Sequence, residues 1–347
     1  MNSSRLQIIF FIFLGLIVSS FTFTLFNLSP ISGLLTLFSG GFGSFNALAQ
    51  TFVMSTPLLI IGVGLALPFQ AKFWNIGAQG QFILGEIFAT WIGLELASSL
   101  PPLVVILVSV VFGFVGGALW AIPPTLMKLY AGANEIITTL MMNFVAVYLL
   151  TYLLAGPMEG AEAKVVHAPS SAPLPAADLL PHVGMLSVGI FLAIAIALIL
   201  YVVLKRTNFG YELMLIGQSP DNARYSGVTV RRNILLSMII SGGIAGIAGM
   251  IMVFGSTQAL IPQFFSDVST SFGYVGIAVT MISSLNPLAI IIISIFFGGI
   301  LNGSYIMEAI YSTPIDVVIS IYGILMFFTM IGILIDFSKY FRRKKVK

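Results

Sequence analysis

Cysteine is absent from the 347 residues, so no disulfide framework, thiolate-held metal or thiol chemistry is available. No Gly-Lys dipeptide occurs either, which excludes a Walker A phosphate loop. The two histidines, His167 and His182, lack the spacing of metal ligands. Charge is scarce: Asp, Glu, Lys and Arg together are only 8% of the chain. What is plentiful is apolar. Hydrophobic residues make up 58%, the mean hydropathy is +1.07, and apolar stretches of about 20 residues, the length that crosses a bilayer as a helix, recur along the chain. The expectation is an all-α polytopic membrane protein in which the few charges fix the topology.

The spacing predicts helices near 6–27, 51–67, 76–97, 103–127, 136–155, 186–204, 233–254, 270–285, 288–303 and 315–336. With ten spans and the chain reversing at Leu285-Asn286-Pro287, fourteen of the fifteen basic residues fall on one side, and the positive-inside rule makes that side cytoplasmic. Only Lys164 lies elsewhere. Both termini are then cytoplasmic, with a basic tail at 337–347. The first span lacks a small-x-small cleavage site and reads as a retained helix rather than a signal peptide. A pI near 9.1 reflects these anchoring charges at the bilayer surface, and nucleic acid is not an expected partner.

Parity also exposes a symmetry. The spans of 51–155 and those of 233–336 form two four-helix units of opposite orientation, an inverted repeat of the kind that places a solute route near its axis. All belong to one transmembrane domain, 1–347. Residues 156–185 form a proline-rich, mildly acidic external loop, expected to be extended or weakly structured, that is either a docking surface or a plain connector. On the other side, 205–232 is a basic cytosolic loop. Within it Ser219 suits an N-cap, Pro220 the first helical position and Gly227 a left-handed terminator, which predicts a short helix over 220–226 presenting Asn222, Ala223 and Tyr225. Such a helix either docks into another protein or caps the bundle.

Polar residues inside the spans are few. At 100° per residue Asn75, Gln79 and Glu86 share a stripe about 40° wide, and Thr139 and Asn143 share a face one turn apart. They form a candidate solute pathway, since amides and hydroxyls bind an uncharged polar solute. They equally serve as interhelical glue. The intramembrane carboxylate of Glu86 leaves a proton-coupled secondary carrier open. Gly242, Gly246 and Gly249 lie on one face and permit close helix packing.

Three stretches resemble one family. Phe73-Trp74-Asn75-Ile76-Gly77-Ala78-Gln79-Gly80-Gln81, Asn134-Glu135-Ile136-Ile137-Thr138-Thr139-Leu140-Met141-Met142-Asn143 and Gly217-Gln218-Ser219-Pro220-Asp221-Asn222-Ala223-Arg224-Tyr225-Ser226-Gly227-Val228 are similar, in that order, to the motifs of permease subunits of ABC importers for nucleosides and simple sugars, the systems served by basic-membrane-protein-type lipoproteins. Gln79 stands where that family usually has Glu, and Trp74 interrupts its Phe-Asn pair. The similarity covers about Ser55 to Asp336. It implies a non-enzymatic subunit of the bacterial cytoplasmic membrane that binds no cofactor itself. It further implies a second related permease as partner, cytosolic ATPase subunits that carry ATP and Mg, and a lipoprotein that delivers solute. By the same resemblance, Ser219, Pro220, Asp221, Asn222, Ala223, Arg224 and Gly227 belong to the segment that couples to the ATPase. Permeases for ribose-like sugars or branched-chain amino acids are the nearest alternatives.

Overall fold

The computed structural model describes residues 3–97, 99–166, 169–183, 186–261, 272–311, 320–321, 323–325, 327–328 and 331–332. The basic tail at 337–347, His167 and most of the last expected span lie outside the described residues. Helices dominate: α1 (Ser3–Ser20), continued by a 3-10 turn Phe21–Phe26, α2 (Pro30–Phe42), α3 (Phe45–Gln70), α4 (Ala78–Leu96), α5 (Pro102–Ala131), α6 (Glu135–Leu154), α7 (Ala161–Val166), α8 (Gly189–Arg206), α9 (Asn208–Gln218), α10 (Pro220–Tyr225), α11 (Val230–Met252), continued by a π turn Val253–Thr257, α12 (Phe272–Ile282) and α13 (Pro287–Tyr311). Among the described residues the only strands are β1 (His182–Val183) and β2 (Leu186–Ser187), a two-residue antiparallel ladder. Six of the described helices, α3, α5, α6, α8, α11 with its π turn, and α13, are long and apolar enough to cross a membrane. The chain is an all-α polytopic membrane protein.

Contacts divide it into two compact units, one of Met1–Thr51 with Phe296–Lys347 and one of Phe52–Ile295. These units follow packing, not the boundaries 51–155 and 233–336 of the expected repeat. The first contains an element that the sequence did not suggest. The chain turns at Asn27, whose φ is 59°, and re-enters a helix at Pro30 with Ser29 accepting a hydrogen bond from Ser32 N–H. The resulting α2 is bent by 110° from the helix before it. Its 13 residues extend only about 20 Å, too short for a hydrocarbon core of about 30 Å. Tertiary contacts hold it. Gly40 and Gly41 lie against Gly303 and Gly299 of α13, and Asn302 donates to the carbonyls of Gly40 (3.1 Å) and Ala47 (3.0 Å).

The larger unit is built around α4. Its hydropathy is lowered by Gln79, Gln81, Glu86 and Glu95, so it is not one of the six long apolar helices. It has no need to meet lipid on every side: α5, α6, α11 and α12 pack on it, and thirteen of its nineteen residues are buried. The approach to α5 and α11 is backbone to backbone. Gly85 of α4, Gly113 and Gly117 of α5 and Gly246 of α11 meet at one level, where a Cβ on Gly85, Gly117 or Gly246 would collide with a neighbouring main chain and one on Gly113 would press on Met250. Gly242 lies against Gly117 and Ala121, and Gly249 lies against Phe82 and Glu86. Small residues at such crossings are what lets membrane helices associate without a hydrophobic driving force.

At the Leu285-Asn286-Pro287 turn, Ser284 and Leu285 take positive φ values of 51° and 60°. Across that turn, Val279 of α12 and Ile290 of α13 both converge on Gly62 of α3, so the chain bends sharply here. The described part of α12 is only 11 residues, about 16 Å, shorter than the span expected over 270–285.

Candidate functional site

The first motif forms a polar knot where α3 hands over to α4. The chain leaves α3 through a turn at Lys72 (φ 55°), and Phe73 drops into an apolar cluster with Ala121 of α5 and Met238 of α11. Asn75 and Gln81 then clasp each other: Asn75 Nδ2 donates to Gln81 Oε1 at 2.9 Å, and Gln81 Nε2 donates back to Asn75 Oδ1 at 3.2 Å. Asn75 Oδ1 also takes the N–H of Gly77 at 3.0 Å, so this amide satisfies backbone at the start of α4, where a helix leaves its N–H groups unpaired.

The second motif supplies the other half of the knot. Thr139 Oγ1 accepts from Ile76 N–H at 3.2 Å. Asn143 Oδ1 accepts from Gly80 N–H at 2.8 Å, while its Nδ2 donates to Ile76 O at 2.9 Å and Tyr274 Oη at 3.1 Å. Gly80 is a packing requirement, because a Cβ there would lie 2.9 Å from Trp120 Nε1. Gln79 points elsewhere: its Oε1 accepts from Gly273 N–H at 2.7 Å and so caps the start of α12. Asn134 caps α6 through Ile136 N–H at 2.9 Å, and Glu135 pairs with Lys128 at 2.7 Å.

These geometries correct the helical-stripe expectation. Asn75 precedes the helix, which begins at Ala78 after Gly77, so it shares no helical face with Gln79 and Glu86. Gln79 faces α12, and Glu86 lies against Gly249 of α11. Asn75, Thr139 and Asn143 are 0% exposed, and Gln79 and Glu86 are also buried. In this conformation all five side chains are buried. Two partners were not singled out from sequence: Gln81, which stands in the first motif and is the clasp to Asn75, and Tyr274, whose neighbourhood carries no motif.

The third motif forms a projection. Ser219 accepts from Asn222 N–H at 3.3 Å, Pro220 opens α10, and Gly227 ends it with φ 83°. Asp221 and Arg224 pair across one turn at 3.1 Å, both exposed. Tyr225 is 92% exposed, whereas Ala223 is 1% exposed. The expected outward presentation of Ala223 is therefore reversed: it packs inward, and Asn222, Arg224 and Tyr225 form the outer surface. Just before this projection, Gly217 at the end of α9 rests on the Gln70 carbonyl of α3. Just after it, α11 begins, and Arg231 stacks 5.4 Å from the Tyr130 ring at the end of α5. Thus Lys72, Lys128, Arg224 and Arg231 gather at one end of this unit.

At the opposite end the described residues of the loop expected over 156–185 are held by hydrogen bonds rather than left weakly structured. Ser171 pairs with Leu260 through both its N–H (2.9 Å) and its Oγ (2.9 Å), Leu174 N–H donates to Gln258 O, and Leu180 N–H donates to Phe254 O. The loop is stitched to the π turn that ends α11. Among the described residues no group of three His, Asp or Glu side chains converges as a metal site.

The larger unit is thus a helical bundle in which Asn75, Gln79, Gln81, Thr139 and Asn143 bind its own helix joints, with a short exposed helix at its basic end. Residues 47–334 match the family described as branched-chain amino acid transport system / permease component, and the chain belongs to that family. It is 27% identical over 320 residues to the guanosine ABC transporter permease protein NupP of Bacillus subtilis, covering 91% of this chain and 90% of that one. It is 26% identical over 298 residues to the nucleoside ABC transporter permease protein NupB of Lactococcus lactis, covering 84% and 81%. It is 27% identical over 330 residues to the glucose ABC transporter permease protein TsgB13 of Haloferax volcanii, covering 92% and 84%.

Proposed function

We propose that this permease is the membrane-spanning subunit of an ATP-driven importer of nucleosides or related ribosides in a bacterial cytoplasmic membrane. Similarity to guanosine and nucleoside permeases supports the solute class, and the relative that carries glucose keeps simple sugars as the alternative. The observation that carries the coupling is the exposed face of α10 at Asn222, Arg224 and Tyr225. A tyrosine left 92% exposed beside a charged pair has the make-up of a protein contact, where aromatic and arginine residues are enriched. Its partner is a cytosolic ATPase subunit, which holds the ATP and Mg for which this chain has no loop.

The path from that contact into the bundle is short. Movement of α10 pulls on α9, which rests on the end of α3, and on α11, whose Met238 packs on Phe73. Both lead into the knot at the start of α4. Alternating access then works by loosening the junction of α4, α6 and α12, with Asn75, Gln79, Thr139 and Asn143 as its closures, Glu86 further along α4 and the glycine-rich crossing with α11 as the pivot. The remaining reading is ten spans with both termini inside, an inverted repeat of 51–155 and 233–336, a second related permease alongside in the bilayer, and a lipoprotein delivering solute to the outer side.

The test is guanosine uptake into vesicles carrying the complete system. Uptake is expected to require ATP and to survive a protonophore. Collapse with the protonophore while ATP persists would instead make Glu86 the centre of a proton-coupled carrier.

A further inference from the structure

A cleft of about 500 Å³ opens between α4 and α6 at the end of α4 remote from the polar knot. Phe88, Trp91 and Glu95 line it from α4, Leu149 and Leu153 from α6, and Met158 from the chain beyond α6. The three α4 residues are three and four positions apart, so they share one face of the helix. Trp91 is 52% exposed and presents its indole to the opening. No Lys, Arg or His lines the cleft, and its one charged group is the Glu95 carboxylate. The volume falls within the range of about 300–1,000 Å³ typical of small-molecule sites, and the lining has their composition, apolar walls with very few polar groups.

The charge selects among occupants. A phospholipid acyl chain suits the walls, but its phosphate meets a carboxylate with no cation to offset the repulsion. A phosphorylated solute is disfavoured in the same way. A flat, uncharged heterocycle carrying N–H or O–H donors satisfies every wall: the ring stacks on an indole, the donors reach the carboxylate, and the apolar side chains exclude water. We propose that this cleft binds the nucleobase of an uncharged nucleoside, with Trp91 stacking on the base and Glu95 accepting from its donors or from the ribose hydroxyls. The assignment rests on the nucleoside reading above and places the solute at the other end of α4 from the amide-rich knot.

The experiment uses the complete transporter in nanodiscs and vesicles, with guanosine as solute, and compares wild type with Trp91→Phe, Trp91→Ala and Glu95→Gln. Stacking on an aromatic ring contributes enough that Trp91→Ala is expected to raise the apparent KM for guanosine at least about fivefold. Trp91→Phe should restore most of the loss. Glu95→Gln should raise KM by a smaller factor. Wild-type uptake with KM unchanged in both Trp91→Ala and Glu95→Gln would overturn the cleft assignment and leave the import function standing. Absence of any nucleoside uptake by the wild type, together with no guanosine-dependent change in Trp91 emission, would remove both. In nanodiscs of brominated phospholipid, guanosine should relieve bromine quenching of the Trp91 signal, taken as wild type minus Trp91→Phe. Quenching that guanosine does not relieve would make the cleft a lipid groove and overturn the proposal.

Discussion

The two ends of α4 carry polar residues for opposite reasons. At its start, Asn75, Gln81 and Asn143 are closed on one another and on the main chain of residues 76–80, and burial is complete. At its far end a single carboxylate and an indole stand at the mouth of an apolar cleft. A list of intramembrane polar residues points to the first end and passes over the second. The structure teaches that polarity inside a membrane marks places where backbone must be satisfied at least as often as places where solute binds. The open groups, not the numerous ones, are those free to meet a ligand.

The largest effect that would test this contrast is steric. Gly80 sits against Trp120, Asn143 and the Met142 carbonyl, so Gly80→Leu forces α4 and α6 apart. Loss of monodisperse protein in detergent, followed by size-exclusion chromatography, is the expected result. Folded protein at wild-type yield would mean that the junction is loose enough to serve as an open route.

Next in size is Asn143→Ala, which strands the Gly80 N–H and the Ile76 carbonyl. Buried groups left unpaired cost about 1–3 kcal/mol each, so the thermal midpoint should fall clearly, with Asn75→Ala and Gln79→Ala falling less. The apparent KM for guanosine should stay near wild type for all three, even where the weakened closure changes the uptake rate. Unchanged stability with uptake lost would return these amides to direct solute contact and erase the distinction between the two ends.

A second contrast lies within α10, between its inner and outer faces. Ala223→Trp should destabilise the chain itself, because that side is already packed. Tyr225→Ala should leave the isolated permease as stable as wild type yet weaken the assembled complex and its solute-stimulated ATP hydrolysis by several-fold. If Tyr225→Ala leaves stimulation intact, the helix is a cap on the bundle and the ATPase docks elsewhere.

How legible these features were in sequence depended on how local their causes are. The α10 helix was readable almost to the residue, because Ser219, Pro220 and Gly227 act on their own backbone; the side from which Ala223 is covered was not, since that depends on what the helix rests against. Likewise α2 went unread. Ser29-Pro30 is a helix start signal, but Gly40 and Gly41 read as loop until Gly299 and Gly303, some 260 positions away, are seen to require small partners. The stripe through Asn75, Gln79 and Glu86 holds only for the last two, which are two turns apart within α4; Asn75 lies before the helix boundary at Gly77, where 100° per residue no longer applies. The cleft at Trp91 and Glu95 left no trace in sequence, because a cleft is made by what is absent between α4 and α6.

The gentlest test asks which end of α4 faces which compartment. Ser226 follows α10 at the end that gathers Lys128, Arg224 and Arg231, and Ser170 lies beside the loop stitched to the other end of α11. By the cation distribution the first is expected inside and the second outside. Because the native chain contains no cysteine, Ser170→Cys and Ser226→Cys introduce single labels with little effect on stability or uptake. An impermeant maleimide applied to intact cells should modify the variant at 170 and spare the one at 226, and opening the cells should expose the latter. Modification of both from outside would break the ten-span topology. If only 226 reacted, the bundle would be turned over, with the Trp91 cleft on the cytosolic side and unable to receive solute from a lipoprotein.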